Sequence, residues 1–252
     1  MDAVLLFSGQ GAQKVGMGKD LYDQYPVAKA LIEQADKALG ESLSAVMFEG
    51  PGEELTRTCN CQPALYVHGL ACLAVLKELV PSLNPVAAAG LSLGEFTAHA
   101  AAGTYSFEEG LRLVQKRGAF MEEACNATKG TMAAMIGGTD ENVIKLAQEC
   151  DVDVANFNCP GQTVVSGTEE GVAKAVAGAK AAGCKIAKKL NVAGAYHSRL
   201  MHSAMVKLAE ELKNISFGTP SMPVYCNYEA RVVEGPDDIR SMLEHQVCGS
   251  VR

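Results

Sequence analysis

The sequence lacks several features that would place it in other classes of protein. No apolar run approaches the length of a membrane span, and the start, which we expect to form a first strand, lacks the basic segment of a signal peptide. The net charge is −7, which argues against nucleic-acid binding because phosphate contacts need a basic face. The nine cysteines show neither a disulfide framework nor zinc-ligand spacing. We therefore expect a reduced, cytoplasmic protein with no metal site, no membrane contact and no nucleic-acid partner.

What the sequence does contain is a large apolar fraction in an alternating pattern. The 252 residues are 48% apolar and 20% charged, which is typical of a soluble protein with a sizeable core. Apolar runs at Val4–Phe7 and Val86–Ala89 predict strands, while helices are predicted over Pro26–Leu39 and Pro63–Leu79. Strands separated by helices favour a mainly parallel sheet that is covered on both faces.

The pattern changes after a capping box at Ser106–Glu109, which predicts a helix that ends at about Ala124. The next segment has the order β-α-β-β-α-β, which is the ferredoxin-like plan. Its predicted elements are strand Thr131–Ile136, helix Asp140–Glu149, strands Val152–Phe157 and Gln162–Ser166, helix Glu169–Ala181 and strand Lys185–Leu190. We therefore expect an α/β fold with an α/β-hydrolase-like catalytic domain (1–125 and 194–252) and an inserted ferredoxin-like small domain (126–193).

A Gly-x-Ser-x-Gly pattern at Gly90–Gly94 is the most informative functional signal. An apolar stretch precedes it and a helix-like stretch follows it, so the flanks predict a strand, a sharp turn and a helix. Ser92, at the apex, would be lifted clear of neighbouring backbone and would lie near the positive end of that helix. The two glycines permit the strained turn and the close approach of a substrate. The pattern indicates a nucleophile.

A serine hydroxyl needs a base within hydrogen-bonding reach, and His197 is the best candidate among the five histidines. It lies in a loop of small residues directly before a helix that Ser198 can cap, and from there it can face a cleft. His99 follows Ser92 on the same predicted helix, but the two turns between them put it out of reach.

Arg117 lies in the middle of an apolar face of the helix that begins after Ser106. A buried arginine is costly unless an anion meets it, and two interpretations stay open: a structural ion pair, or a two-pronged clamp for a substrate carboxylate.

The segment around Gln10, Gly9–Gly11, lacks the spacing of a nucleotide-binding loop. It is better suited to present a backbone amide near a reacting centre, as an oxyanion hole requires.

Together these motifs resemble the malonyl-CoA:acyl carrier protein transacylases and the acyltransferase domains of fatty acid and polyketide synthases. The likeness covers essentially the whole chain in the correct order. The segments that carry it are Phe7–Gln13, Gly90–Phe96, Gln115–Met121, Gly130–Ala134, Asn156–Gln162 and Ala195–Ser198. The resemblance implies an acyl carrier protein S-malonyltransferase of fatty acid or polyketide synthesis. Malonyl-CoA and acyl carrier protein would be its partners, no cofactor would be bound apart from the CoA thioester substrate, and the enzyme would be monomeric.

The resemblance also implies the catalytic roles. Ser92 would be the nucleophile, and His197 would be its base and later the acid that protonates the departing thiolate. The main-chain carbonyl of Gln246 would orient the histidine, so that an acidic third member is unnecessary. Malonyl would pass from CoA to Ser92 and then to the phosphopantetheine thiol in a ping-pong reaction.

The remaining roles concern charge. The resemblance implies that the backbone amides of Gln10 and Leu93 bind the oxyanion and that Arg117 pairs with the free carboxylate of malonyl.

The sequence departs from the family pattern in two places. Leu91 stands where the family most often has a histidine before the nucleophile, and the family's chains continue past Arg252 with a further strand and helix.

Two other functions stay open on the residues alone. A serine hydrolase or thioesterase would need an acid between Ser92 and His197 in chain order, and Asp151 and Asp153 fit that order. An inactive acyltransferase-like scaffold would only bind carrier protein.

Acidic carrier proteins would need a local basic patch on this acidic chain. Its candidate residues are Lys185, Lys188, Lys189 and Arg199.

Overall fold

The computed structural model describes all 252 residues, which form six strands, eleven α-helices and one 3-10 helix. The strands are β1 (Asp2–Phe7), β2 (Asn84–Gly90), β3 (Gly130–Ile136), β4 (Asp153–Cys159), β5 (Gln162–Thr168) and β6 (Ile186–Lys189). The helices are α1 (Lys19–Gln24), α2 (Pro26–Leu39), α3 (Leu43–Glu49), α4 (Gly52–Thr56), α5 (Thr58–Leu79), α6 (Leu93–Ala101), α7 (Phe107–Ala127), α8 (Asp140–Glu149), α9 (Glu169–Gly178), α10 (His202–Lys213) and α11 (Pro236–His245), and the 3-10 helix is Arg199–Met201.

The chain divides into two compact units, each built from several segments. The first unit comprises residues 1–119, 211–226 and 231–240, and the second comprises residues 120–210, 227–230 and 241–252. The mixed α/β class predicted from the sequence is confirmed, with a parallel sheet in the first unit and an antiparallel sheet in the second. The predicted domain boundaries at residues 125 and 194 stay a prediction.

The parallel sheet of the first unit positions the serine turn. Strands β1 and β2 pair in parallel, with Phe7 opposite Gly90 at their carboxyl ends. A parallel bridge between Ala88 and Val224 continues the pairing on the other side of β2. Since parallel strands end at the same edge of a sheet, the segments after Phe7 and after Gly90 emerge side by side.

One face of this sheet is open, contrary to the expectation that both faces are covered. Leu5 is buried, but its neighbours Val4 and Leu6 are 56% and 77% exposed, and Val86 of β2 is also exposed. Alternate side chains of a strand point to opposite faces, so helices cover one face only. The outer edge of β1 has no pairing strand.

Helix α5 is the central helix of the first unit and corrects two expectations. It begins at Thr58, five residues before the predicted start, so Pro63 lies inside the helix, where it removes one backbone hydrogen bond. Its 22 residues are long and apolar enough to cross a membrane by length and composition alone, although no such run was expected. More than half of that apolar window is buried inside the protein, and α5 packs against α2 and α6, as a core helix does.

The second unit contains the predicted β-α-β-β-α-β segment. Its strand order is β4-β5-β3-β6 with antiparallel pairing throughout, which is the ferredoxin-like order. Buried side chains of α8 and α9, such as Val143 and Val172, pack with Val165 of β5 in one core cluster. The predicted capping box is also confirmed, because Ser106 and Glu109 each accept a hydrogen bond from the backbone N–H of the other.

Candidate active site

The turn between β2 and α6 is a strained elbow with Ser92 at its apex. Ser92 has φ 52° and ψ −103°, a conformation that costs a non-glycine residue free energy. A Cβ on Gly90 would overlap the backbone of Gly94, and one on Gly94 would overlap the carbonyl of Phe7. Both glycines of the motif are therefore required by close backbone approach, and α6 begins directly behind the serine.

The loop after β1 packs directly against this elbow. A Cβ on Gly9 would lie 2.5 Å from the carbonyl oxygen of Leu91, so Gly9 allows the two turns to touch. Gln10 follows Gly9 and is partly buried, while Leu93 is the first residue of α6. The N–H groups in the first turn of a helix have no partner within the helix. The roles of Gln10 and Leu93 as oxyanion donors stay a prediction.

Arg117 reaches the serine from α7. Its side chain is buried, and Nη2 donates a hydrogen bond of 3.0 Å to Oγ of Ser92. Nη1 donates to Oε1 of Gln62 at 2.7 Å, and the Cζ atom lies 5.0 Å from the centre of the Phe96 ring. The guanidinium is therefore fixed beside the hydroxyl where an acyl group on Ser92 would sit.

A glycine makes this approach possible. A Cβ on Gly118 would lie 2.5 Å from the carbonyl oxygen of Thr58 and 3.0 Å from Cα of Cys59. Helix α7 can therefore pack backbone to backbone on the start of α5, one residue from Arg117 and four residues from Gln62.

Gln62 was not predicted from the sequence. It is 1% exposed in a helix whose other buried members are mostly apolar. A buried glutamine needs a hydrogen-bonding partner, and that rule was the available signal. The partner could not be named, because Gln62 and Arg117 are 55 residues apart in the chain.

His197 lies in the second unit on another strained backbone. Its φ is 54°, and its side chain is buried. Nδ1 lies 2.8 Å from the carbonyl oxygen of Gln246. A carbonyl can only accept, so Nδ1 carries the proton and Nε2 is the basic nitrogen of the neutral ring. As predicted, Ser198 caps the following helical turn, because its hydroxyl accepts a hydrogen bond from the N–H of Leu200.

The carbonyl of Gln246 is presented by a tightly packed turn after α11. Gln246 is fully buried, and its side chain donates to Oδ1 of Asn227 at 3.5 Å. The ring of Tyr228 stacks on His245, and a Cβ on Gly249 would overlap the same ring. The residues on both sides of Gln246 are therefore packed against one tyrosine.

The two aspartates considered for a hydrolase triad have another partner. Arg199 donates to both carboxylate oxygens of Asp153 and to Oδ1 of Asp151. These carboxylates raise the pKa of Arg199. The same interactions engage the arginine that was considered for the basic patch.

His99 is fully buried, and desolvation lowers its pKa to about 3, so it is neutral at physiological pH.

Ser92 lies on a strand–helix elbow, and a buried guanidinium donates a hydrogen bond to its hydroxyl. The chain also fixes His197 in the tautomer with the proton on Nδ1. These features are typical of the class of enzymes that transfer acyl groups through a serine. The family model for the acyl transferase domain matches residues 4–246. The chain belongs to this family.

Individual relatives agree over nearly the full chain. The malonyl CoA-acyl carrier protein transacylase of Bacillus subtilis is 44% identical over 98% of this chain and 79% of its own length. The solved structure of the malonyl CoA-acyl carrier protein transacylase of Coxiella burnetii is 36% identical with a TM-score of 0.95, covering 99% of this chain and 80% of that one. A third relative, 37% identical with a TM-score of 0.94 over 99% of this chain and 82% of that one, is a malonyl-transacylase in complex with its type II PKS acyl-carrier protein.

Proposed function

We propose that this protein transfers a malonyl group from malonyl-CoA to the phosphopantetheine thiol of an acyl carrier protein, through a malonyl ester on Ser92. The observation that carries the proposal is the hydrogen bond of 3.0 Å from Arg117 to Oγ of Ser92. A guanidinium in that place can pair with the free carboxylate of a malonyl group on the serine. The names of the relatives support the same activity in fatty acid or polyketide synthesis.

In the first half-reaction Oγ of Ser92 attacks the thioester carbonyl, and Nε2 of His197 accepts the hydroxyl proton. The resulting oxyanion is stabilised by the backbone N–H groups of Gln10 and Leu93. The C–S bond then breaks, and the imidazolium returns its proton to the CoA thiolate. In the second half-reaction the carrier thiol attacks the ester, and His197 passes the thiol proton to Oγ.

Gln246 supports His197 in a particular way. Its carbonyl fixes the tautomer through the 2.8 Å contact to Nδ1 and stabilises the imidazolium without adding a full negative charge. The hydrolase alternative finds little support, since Asp151 and Asp153 bind Arg199. The intact set of Ser92, His197 and Arg117 also speaks against a scaffold without activity.

We further propose that the enzyme is a cytoplasmic monomer that binds no metal, nucleic acid or membrane and uses no cofactor beyond the CoA thioester. None of the nine cysteines forms a disulfide, which supports a reducing compartment. The acidic balance of the chain supports a function without nucleic acid. Residues 126–193, which contain the whole ferredoxin-like sheet, are proposed as an inserted small domain and the flanking segments as the catalytic domain.

The test is the mass of the intact protein after mixing with malonyl-CoA. The wild type should gain one malonyl group, and Ser92→Ala should gain none, because the ester oxygen is missing. Adding acyl carrier protein that bears its phosphopantetheine arm should remove the adduct and add the same mass to the carrier. A wild type that forms no adduct, or loses it to water as fast without carrier as with it, would refute the proposal.

A further inference from the structure

Gln62 is a buried polar residue whose side chain contacts Arg117. Its side chain is 1% exposed in the second turn of α5. Its Oε1 accepts a hydrogen bond of 2.7 Å from Nη1 of Arg117, while Nη2 of the same guanidinium donates to Ser92. The three side chains are linked by hydrogen bonds within the first unit, and Arg117 lies between Gln62 and Ser92.

This chain orients the guanidinium. An arginine side chain has many rotamers, and a planar fork can be directed only if part of it is fixed. Gln62 fixes one amino group and Phe96 lies beside Cζ at 5.0 Å from its ring centre. The other amino group is thereby directed at Oγ of Ser92.

Gln62 binds the guanidinium through a neutral amide and not through a carboxylate, and this difference matters for the charge at the site. A carboxylate would bind a guanidinium more strongly than an amide does, through a charge-assisted bond. It would also neutralise the cation next to the acyl site. An amide oxygen accepts the hydrogen bond and adds no negative charge of its own beside the guanidinium.

We propose that Gln62 is a specificity-determining residue: it orients Arg117 with a neutral oxygen, so that the site selects acyl groups with a free carboxylate over neutral ones. This inference rests on the proposed pairing of Arg117 with malonyl. It assigns to Gln62 no contact with the substrate, so Gln62 is a positioning residue.

The experiment is a competition between equimolar malonyl-CoA and acetyl-CoA, read as the ratio of malonyl to acetyl adducts on the intact protein. Gln62→Glu keeps the shape of the side chain and adds a charge, and it should lower the ratio at least about tenfold because the carboxylate competes with malonyl for the guanidinium. Acetyl loading should persist. Gln148→Glu, an exposed glutamine on α8, makes the same charge change and should leave the ratio unchanged.

Gln62→Ala provides a second readout that does not depend on tolerance of a buried charge. It should raise the concentration of malonyl-CoA needed for half-maximal loading more than that of acetyl-CoA, because the guanidinium is no longer directed. A residue needed only for packing would reduce both loadings alike. An equal reduction of both in the two Gln62 variants would overturn the inference.

Arg117→Ala separates the role of Gln62 from the role of Arg117. If it lowers the malonyl preference while Gln62→Glu leaves the preference at the wild-type value, Gln62 does not determine specificity and the role of Arg117 stands. If Arg117→Ala itself leaves the preference unchanged, the pairing of Arg117 with malonyl is wrong, and the inference about Gln62 falls with it.

Discussion

At the scale of single residues, the proposed nucleophile and base share an unusual backbone conformation. Ser92 and His197 have φ values of 52° and 54°, and only two other non-glycine residues of the chain have positive φ. Each such residue costs on the order of 1–3 kcal/mol unless its surroundings compensate for it. Two of the four positions with this cost are therefore those of the proposed nucleophile and base, whose side chains must be directed at the substrate.

The strain at Ser92 can be measured with two substitutions that both remove the hydroxyl. Ser92→Gly removes the Cβ and relieves the strain, whereas Ser92→Ala retains it. Glycine normally destabilises a structured position relative to alanine by roughly 0.5–1 kcal/mol, but here we expect Ser92→Gly to be the more stable variant by about 1 kcal/mol. Urea unfolding of the two variants provides the comparison. An advantage for alanine would mean that the elbow stores no strain at this residue.

His99 makes the stability of the protein depend on pH. Burial lowers its pKa from 6.5 to about 3, and its Nδ1 lies 3.2 Å from Oγ1 of Thr104. In acid the unfolded chain binds a proton that the folded chain does not. Stability is therefore complete above about pH 6.5 and falls as the pH drops towards 3, by roughly 2 kcal/mol at about pH 5 for this group.

This dependence can be assigned by measuring urea unfolding at about pH 7.5 and about pH 5. His99→Asn can still bond Thr104 but does not titrate, so it should lose less stability between the two pH values than the wild type does. The same loss in both proteins would assign the pH dependence to other groups.

At the scale of elements, the site depends on how α7 crosses α5. Gly118 lies at the crossing, and its hydrogen faces the carbonyl of Thr58. Arg117 and Gln62 lie on either side of this contact. The distance between the two helices therefore determines whether the guanidinium reaches Ser92.

Gly118→Ala tests this crossing. In an unhindered helix the change should stabilise the protein by roughly 1 kcal/mol, but here the added methyl would lie 2.5 Å from a backbone oxygen. We expect a net loss of about 1–3 kcal/mol in unfolding free energy, as for other overpacked sites, and weaker malonyl loading. Gly178→Ala on α9, whose methyl would meet only the flexible end of Leu146, is the control. A stabilised Gly118→Ala would show that the helices have room to spare.

The elements that the sequence predicted well are those with local causes. The capping box at Ser106 and the glycines around Ser92 act over three or four residues, so the pattern contains the information. The start of α5 was wrong because tertiary burial of residues before Pro63 extends the helix. Gln62 was missed because its partner depends on a helix crossing. The open face beside Val4 was missed because periodicity shows which side chains alternate, and not what lies over them.

At the scale of the whole molecule, charge restricts how an acidic carrier protein can dock on a chain of net charge −7. The four candidates for a basic patch do not act as one group. Arg199 binds Asp153, and Lys189 pairs with Glu169 at 3.5 Å. Lys188 is exposed and follows Ala187 on β6, so it points to the opposite face from that core-packed residue. Docking through the patch stays a prediction, and Lys188, on the face of β6 away from the core, can test it.

Lys188→Glu should weaken binding of acyl carrier protein several-fold at low salt, because a cation facing an acidic partner becomes an anion. The difference from wild type should shrink as salt rises and screens the contact. Lys145→Glu on α8 carries the same charge change on another exposed lysine. Equal binding by the two variants, or a response that salt does not alter, would locate docking elsewhere.

The unpaired edge of β1 determines how the protein behaves in concentrated solution. Its unpaired backbone edge and the exposed side chains of Val4 and Leu6 can attract a second molecule at short range. The net charge of −7 causes repulsion between molecules at long range. Added salt weakens only the repulsion. We therefore expect a protein that consists of residues 1–252 to stay dispersed in dilute buffer and to aggregate through the β1 edge as the ionic strength rises, which light scattering would detect.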